Sequence, residues 1–299
     1  MKNKKILILL IVFLSITCIA LVFGMILIIN KDINFSFGFS LGSHNLKIVD
    51  SFDAEAKSIS MLDLKVSSTD IELKESTNNN LKIEYLSNKE DTNVIKKDGN
   101  KVYIEEDDFK TICIGICSNQ RKVIVYIPTS YNGNINISSR SGDIASSLEI
   151  IENEVNVSTT SGNIAFNNAT NISMTTTSGD ISLNNTNMAK LSTTSGDIKI
   201  TGEVNSLDVT TTSGDVEVKK INKNANINTT SGDIDITQLA ITDISNFETV
   251  SGDIVIYNNS SDCYIDYKTH SGDSKINKSD RKSDIVLNVH TTSGDIRVD

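Results

Sequence analysis

Thr176-Thr177-Ser178-Gly179-Asp180-Ile181 is followed 17 residues later by Thr193-Thr194-Ser195-Gly196-Asp197-Ile198. The same Ser-Gly-Asp/Asn tripeptide occurs nine times, with serines at Ser141, Ser161, Ser178, Ser195, Ser213, Ser231, Ser251, Ser271 and Ser293. The steps are 20, 17, 17, 18, 18, 20, 20 and 22 residues. A unit this short cannot bury a hydrophobic face alone, so it must stack on its neighbours as a solenoid.

Alignment on the serine gives the secondary structure. Six and four positions before it stand apolar pairs: Val155 and Val157, Ile172 and Met174, Leu207 and Val209, Ala225 and Ile227, Leu287 and Val289. Two positions before it stands Thr or Ser in every copy, from Ser139 to Thr291. Apolar residues resume three and five positions after it: Ile164 and Phe166, Ile181 and Leu183, Ile198 and Ile200, Val216 and Val218, Ile234 and Ile236. The period is two on both sides, so each unit reads strand, corner, strand. The expected fold is all-β: a single-stranded β-solenoid (parallel β-helix) of about nine to ten Ser-Gly-Asp rungs. Nine rungs about 4.8 Å apart make a rod roughly 43 Å long. A cryptic tenth copy lies at Leu62, Leu64, Val66 and Ser68, followed by Thr69-Asp70-Ile71-Glu72-Leu73.

The corner glycines, Gly142, Gly162, Gly179, Gly196, Gly214, Gly232, Gly252, Gly272 and Gly294, read as structural turn residues that reach angles closed to other side chains. By parity the serine hydroxyls are expected at the inner edge of the bend. The Thr and Ser two positions earlier are expected to form inward ladders. Ile296 to Val298 reads as an uncapped end able to pair with a second copy.

Residues Ile6 to Ile29 form an apolar run of 24 uncharged residues behind Lys2, Lys4 and Lys5. As a helix it would measure about 36 Å against a bilayer core of about 30 Å. The lysines place the N-terminus in the cytoplasm and the rest outside. No small-residue cleavage site follows the run, and Thr17-Cys18 is a poor lipoprotein site, so the run reads as an uncleaved anchor. The expected organisation is residues 1–30 cytoplasmic tip and transmembrane anchor, 31–50 juxtamembrane linker, 51–134 irregular β cap and 135–299 regular solenoid. Cys113 and Cys117 either form a disulfide across a tight turn at Gly115 or remain free thiols.

A net charge of -10 without a basic stripe argues against nucleic-acid binding. The combination of anchor, β lead-in ending in Val125-Tyr126-Ile127-Pro128, then Asn134-Ile135-Asn136-Ile137 and a train of Thr-Ser-Gly-Asp-Ile units resembles the putative-adhesin family of bacterial envelope proteins. This is a β-strand-repeat domain of unknown function that includes LiaG-like proteins. The resemblance covers roughly residues 50 to 299. It implies a membrane-tethered β-solenoid tied to envelope-stress systems, with no established catalytic activity and no functional residues to carry over.

Two surface files merit attention. Asp180, Asp197, Asp215, Asp233 and Asp253 stack along one edge, where backbone amides or calcium could offset their repulsion; turn structure is the favoured reading, so no metal and no cofactor are expected. Thr177, Thr194, Thr212 and Thr230 form an outward file able to order water or dock a wall glycan, although threonine also suits any exposed strand. The sequence carries no Walker loop, HExxH or GxSxG motif, and His270 and His290 read as surface histidines without a nucleophile partner. The expected function is a non-catalytic, membrane-anchored extracytoplasmic scaffold or binding module of a bacterial cell envelope, partnered by a wall glycan or envelope protein. The alternative is a carbohydrate-active β-helix enzyme.

Overall fold

The computed structural model describes residues 34–37, 46–88, 94–106, 111–114, 120–148 and 154–299. The apolar run Ile6 to Ile29, Cys18 and Cys117 lie outside them. Among the described residues no helix is long and apolar enough to cross a membrane.

The chain divides into two units. The smaller, residues 1–43 with 107–118, contains a two-stranded parallel pair, Asn34–Phe37 against Thr111–Ile114. The larger, residues 44–106 with 119–299, is the solenoid.

Each solenoid rung crosses two sheet faces. A strand on the first face leads into the Ser-Gly-Asp corner, and a strand on the second face leads out. A long strand such as Ile164–Thr175 or Ile181–Ser192 then bends back to the first face of the next rung. Rungs pair parallel and in register, Ile181↔Ile198↔Val216↔Ile234↔Ile254↔Ile296 on the second face. On the first face the matching file is Leu191↔Val209↔Ile227↔Phe247↔Val289. Both files are buried, so each rung completes its neighbour's core.

Stacking order departs from chain order at both ends. The Ser251 rung pairs with the Ser293 rung, which in turn pairs with the Ser271 rung. The last strand, Ile296–Val298, therefore lies between Ile254–Ile256 and Ser274–Ile276 rather than at an open end. The outermost rung is Tyr264–Lys268 with Ser274–Ile276, and the loop after it folds over part of its edge. Ser279 Oγ accepts the Ile265 N–H at 2.9 Å, and the Asp280 N–H reaches the Cys263 carbonyl at 2.9 Å.

At the other end Met61–Val66 pairs with Asn134–Ser139 on one side and Lys101–Glu105 on the other. Asp70–Glu75 likewise lies between Ile144–Ser146 and Arg121–Ile127. The cryptic copy is thus a true rung, confirmed by Ser68 Oγ at 3.2 Å from Ser141 Oγ. Antiparallel strands finish this end: Asn80–Ser87 pairs with Arg121–Ile127 and with Lys47–Glu55, and Ile95–Asp98 forms a hairpin with Lys101–Glu105. Lys47–Glu55 begins inside the stretch read as linker.

The corners work differently from the expectation. The serines are exposed, because the bend reverses their parity; the residue sealing the core is the Thr two positions earlier. Those hydroxyls do not form a ladder with one another. Thr176, Thr193, Thr249, Thr291 and Thr269 each donate to a corner glycine carbonyl of the adjacent rung. Glycine is required chiefly by proximity: six of the nine corner glycines have no positive φ. A Cβ on Gly196 would lie 2.1 Å from the Gly179 carbonyl oxygen, and every other corner glycine meets the same obstacle at 2.0 to 2.2 Å. Only the Ser68 rung has a larger residue there, Thr69, whose hydroxyl donates to Glu106.

Candidate functional site

The corner column is built from one recurring contact. In each rung the aspartate Oδ1 accepts the backbone N–H of the aspartate stacked on it. Asp197 N–H reaches Asp180 at 3.0 Å, Asp215 reaches Asp197 at 3.0 Å, Asp233 reaches Asp215 at 2.9 Å and Asp253 reaches Asp233 at 2.8 Å. Asn163 takes the same part with its amide oxygen, accepting the Asp180 N–H at 2.9 Å. The series ends Asp253, Asp295, Asp273, following the stacking order. One oxygen of each inner side chain is thus committed to the ladder, and amide donors offset the like charges. Among the described residues no group of three His, Cys, Asp or Glu is placed to hold a metal ion. Beside the column, burial first and then Asp233, Glu217, Asp215 and Asp253 push the Asp235 carboxyl above the ordinary range.

The threonine file is continuous from Thr160 through Thr177, Thr194 and Thr212 to Thr230. All five side chains are exposed. Arg140 precedes the file and Val250 follows it, after which Thr292, not His270, comes next in the stack. His290 lies one residue column away, between Glu248 and Lys268, while His270 belongs to the outermost rung.

A third feature was not singled out from the sequence. On the first face two shallow depressions, of about 300 and about 270 Å³, share Asp63 and Lys65. The first continues over Asn136, Ser138, Asn156, Ser158, Ser173 and Thr175. The second continues over Asp98, Lys101, Tyr103 and Glu105. Asp63 Oδ2 lies 2.6 Å from Lys101 Nζ and 3.8 Å from Lys65 Nζ. Lys101 Nζ stands 5.5 Å from the Tyr103 ring centre. The signal was present in the alternation: once Leu62 and Leu64 point inward, Asp63 and Lys65 must point outward.

Also unforeseen is Glu106, whose side chain is 3 % exposed. Its carboxylate accepts the Ser67 N–H at 2.7 Å, the Thr69 hydroxyl at 2.5 Å and the Tyr85 hydroxyl at 2.7 Å. Arg121, equally buried, lies 4.0 Å away. Burial, then the Glu106 hydrogen bond, raises the Tyr85 phenol well above its ordinary range. Glu106 stands where a further rung would have presented its corner, so it is an end cap rather than a ligand site.

A family model described as Toastrack DUF4097 matches residues 59–298. A search among curated proteins gave no match. Among solved structures, one described as a putative adhesin from Parabacteroides distasonis has TM-score 0.50 at 12 % identity, covering 89 % of this chain and 100 % of that one. Another from the same species, described as a putative lipid binding protein, has TM-score 0.50 at 15 % identity over 89 % of this chain and 100 % of that one. A putative adhesin from Bacteroides fragilis reaches TM-score 0.47 at 13 % identity, covering 85 % of this chain and 97 % of that one.

Proposed function

Because this chain belongs to the Toastrack DUF4097 family, we propose that it is a non-catalytic binding module of a bacterial cell envelope, held at the membrane by Ile6 to Ile29 and displayed outside it. The observation that carries this reading is the fixed array of outward side chains. Stacked rungs hold threonines from Thr160 to Thr230 and aspartates from Asp180 to Asp253 at a repeat of about 4.8 Å. Their backbone groups are already paired in ladders, so recognition falls to side chains on a stiff support. Such a surface needs no ordering when it meets a long, regular partner. The adhesin description belongs to the Parabacteroides protein, with which the likeness is one of fold. A role in envelope-stress response, which the family resemblance implies, belongs to the same reading.

The test uses the full chain produced in a Gram-positive host. Protease added to intact cells is expected to remove the solenoid, and the detergent-solubilised chain is expected to co-sediment with purified cell-wall sacculi. A chain protected in intact cells and absent from the sacculus pellet contradicts the proposal.

A further inference from the structure

The depressions on the first face form one trough along the solenoid axis. Its floor is set by two neighbouring files. The first runs Tyr103↔Asp63↔Asn136↔Asn156↔Ser173. The second runs Glu105↔Lys65↔Ser138↔Ser158↔Thr175. Five rungs are four steps, about 19 Å of trough at about 4.8 Å per step.

We propose that this trough binds a linear, uncharged saccharide strand lying along the axis; the proposal rests on the reading of the chain as a binding module. Four observations point to that ligand. The backbone groups of these strands are spent in the parallel ladders, so a peptide could not be bound by strand addition. What remains is amide and hydroxyl chemistry. Asn156 Nδ2 donates to Asn136 Oδ1 at 3.2 Å, which orients the pair and leaves Asn136 Nδ2 and Asn156 Oδ1 as one free donor group and one free acceptor. The hydroxyls of Ser138, Ser173 and Thr175 make no hydrogen bond among the described residues.

Charge gives the third observation. Lys65 and Lys101 face Asp63, Asp98 and Glu105, and Lys101 and Asp63 already neutralise one another at 2.6 Å. Glu154 Oε1 lies 3.5 Å from Asn156 Nδ2, so carboxylates outnumber the two lysines and a polyanion would find no positive charge to meet. The fourth is Tyr103 at one end, a half-buried aromatic that combines an apolar ring with a polar tip. A phenol with Lys101 over its ring, followed by evenly spaced amides and hydroxyls, fits a chain of hydroxyl-bearing rings better than a compact small molecule.

The experiment titrates cellohexaose and chitohexaose into the detergent-solubilised full chain by calorimetry, with sacculus co-sedimentation in parallel. Wild type is expected to bind at least one hexamer saturably. Asn156→Ala should weaken it about tenfold, the scale of losing one neutral hydrogen bond. Ser158→Lys, which fills the trough from an exposed strand position, should abolish it. Ala165→Lys, at an exposed strand position on the second face and outside both files, should leave it unchanged. Circular dichroism melts of each variant separate lost binding from lost folding. If sacculi are bound but neither hexamer is, or if Ala165→Lys abolishes hexamer binding while Ser158→Lys retains it, the trough is not the site and the binding-module reading stands. If wild type binds neither hexamers nor sacculi, both fail.

Discussion

The central rungs, Ser161 to Ser231, stack in the order in which the chain makes them; the outer rungs do not. In the centre every corner is served by its neighbours. From Ser178 to Ser231 a serine N–H meets a threonine carbonyl, an aspartate N–H meets the Oδ1 of an aspartate or of Asn163, and glycine backbone passes under glycine backbone. At the Ser68 end the same needs are met by one buried carboxylate, Glu106. At the far end the last-made rung slides inside, and the loop around Ser279 and Asp280 covers part of the outermost strand. The difference teaches that the repeat supplies interchangeable rungs and leaves the ends to other chemistry. The Ser271 rung is itself a repeat rung, and among the described residues Ser274–Ile276 pairs on one side only, which leaves its other edge open beside that loop.

The largest expected effect is at the cap. Glu106→Ala removes the acceptor of the Tyr85 hydroxyl, the Thr69 hydroxyl and the Ser67 N–H in a buried place. It should cost about 3–5 kcal/mol, the scale of several buried donors left unpaired, read by urea denaturation of the full chain. A cost below about 1 kcal/mol would mean that the end is held by the antiparallel strands alone. Gly196→Ala comes next, since its Cβ would meet the Gly179 carbonyl at 2.1 Å and force two rungs apart. A loss of about 1–3 kcal/mol is expected, in line with overpacked cores. Thr69→Val at the end rung keeps the shape of the buried side chain and removes its hydroxyl, so its loss reports the Glu106 hydrogen bond instead.

The smallest effects should come from the aspartate column. Asp197→Asn should change stability by no more than about 0.5 kcal/mol, because Asn163 already shows that an amide oxygen serves the ladder. Asp235 adds a pH signature. Its folded carboxyl titrates above the unfolded one, so the folded state holds that proton more tightly. That stability is present at acid pH and is lost as pH rises from the ordinary aspartate range through the raised value. Asp235→Asn should flatten this part of the profile; an unchanged slope would place the effect elsewhere in the column.

Much of this was legible in the sequence. Parity around Ser178 and Ser195 gave the strands, the corner and the inward files, and the parity of Leu62, Leu64 and Val66 gave the tenth rung. Three things were not legible, each for a physical reason. Register within a rung follows from alternation, but any Ser-Gly-Asp rung fits against any other, so alternation cannot say that Ser293 lies between Ser251 and Ser271. Glycine was read as a turn former, whereas the stack needs it because no Cβ fits between backbones, a fact of neighbouring rungs. Glu106 stands in Glu105-Glu106-Asp107-Asp108, a run that reads as solvated until Thr69 and Tyr85 are brought to it from 37 and 21 residues away. The trough has the same origin: Tyr103, Asp63 and Asn136 become one file only through the out-of-order stacking.

That stacking is tested most directly by disulfide trapping in the full chain with its four native cysteines replaced by serine. Neighbouring rungs place their corner serines about 4.8 Å apart, within reach of a disulfide, and rungs two steps apart are about 10 Å away, beyond it. Ser251→Cys with Ser293→Cys, and Ser293→Cys with Ser271→Cys, should oxidise readily, while Ser251→Cys with Ser271→Cys should stay reduced. Ready oxidation of the Ser251 and Ser271 pair, with the Ser251 and Ser293 pair reduced, would mean that the rungs stack in chain order and would contradict the account.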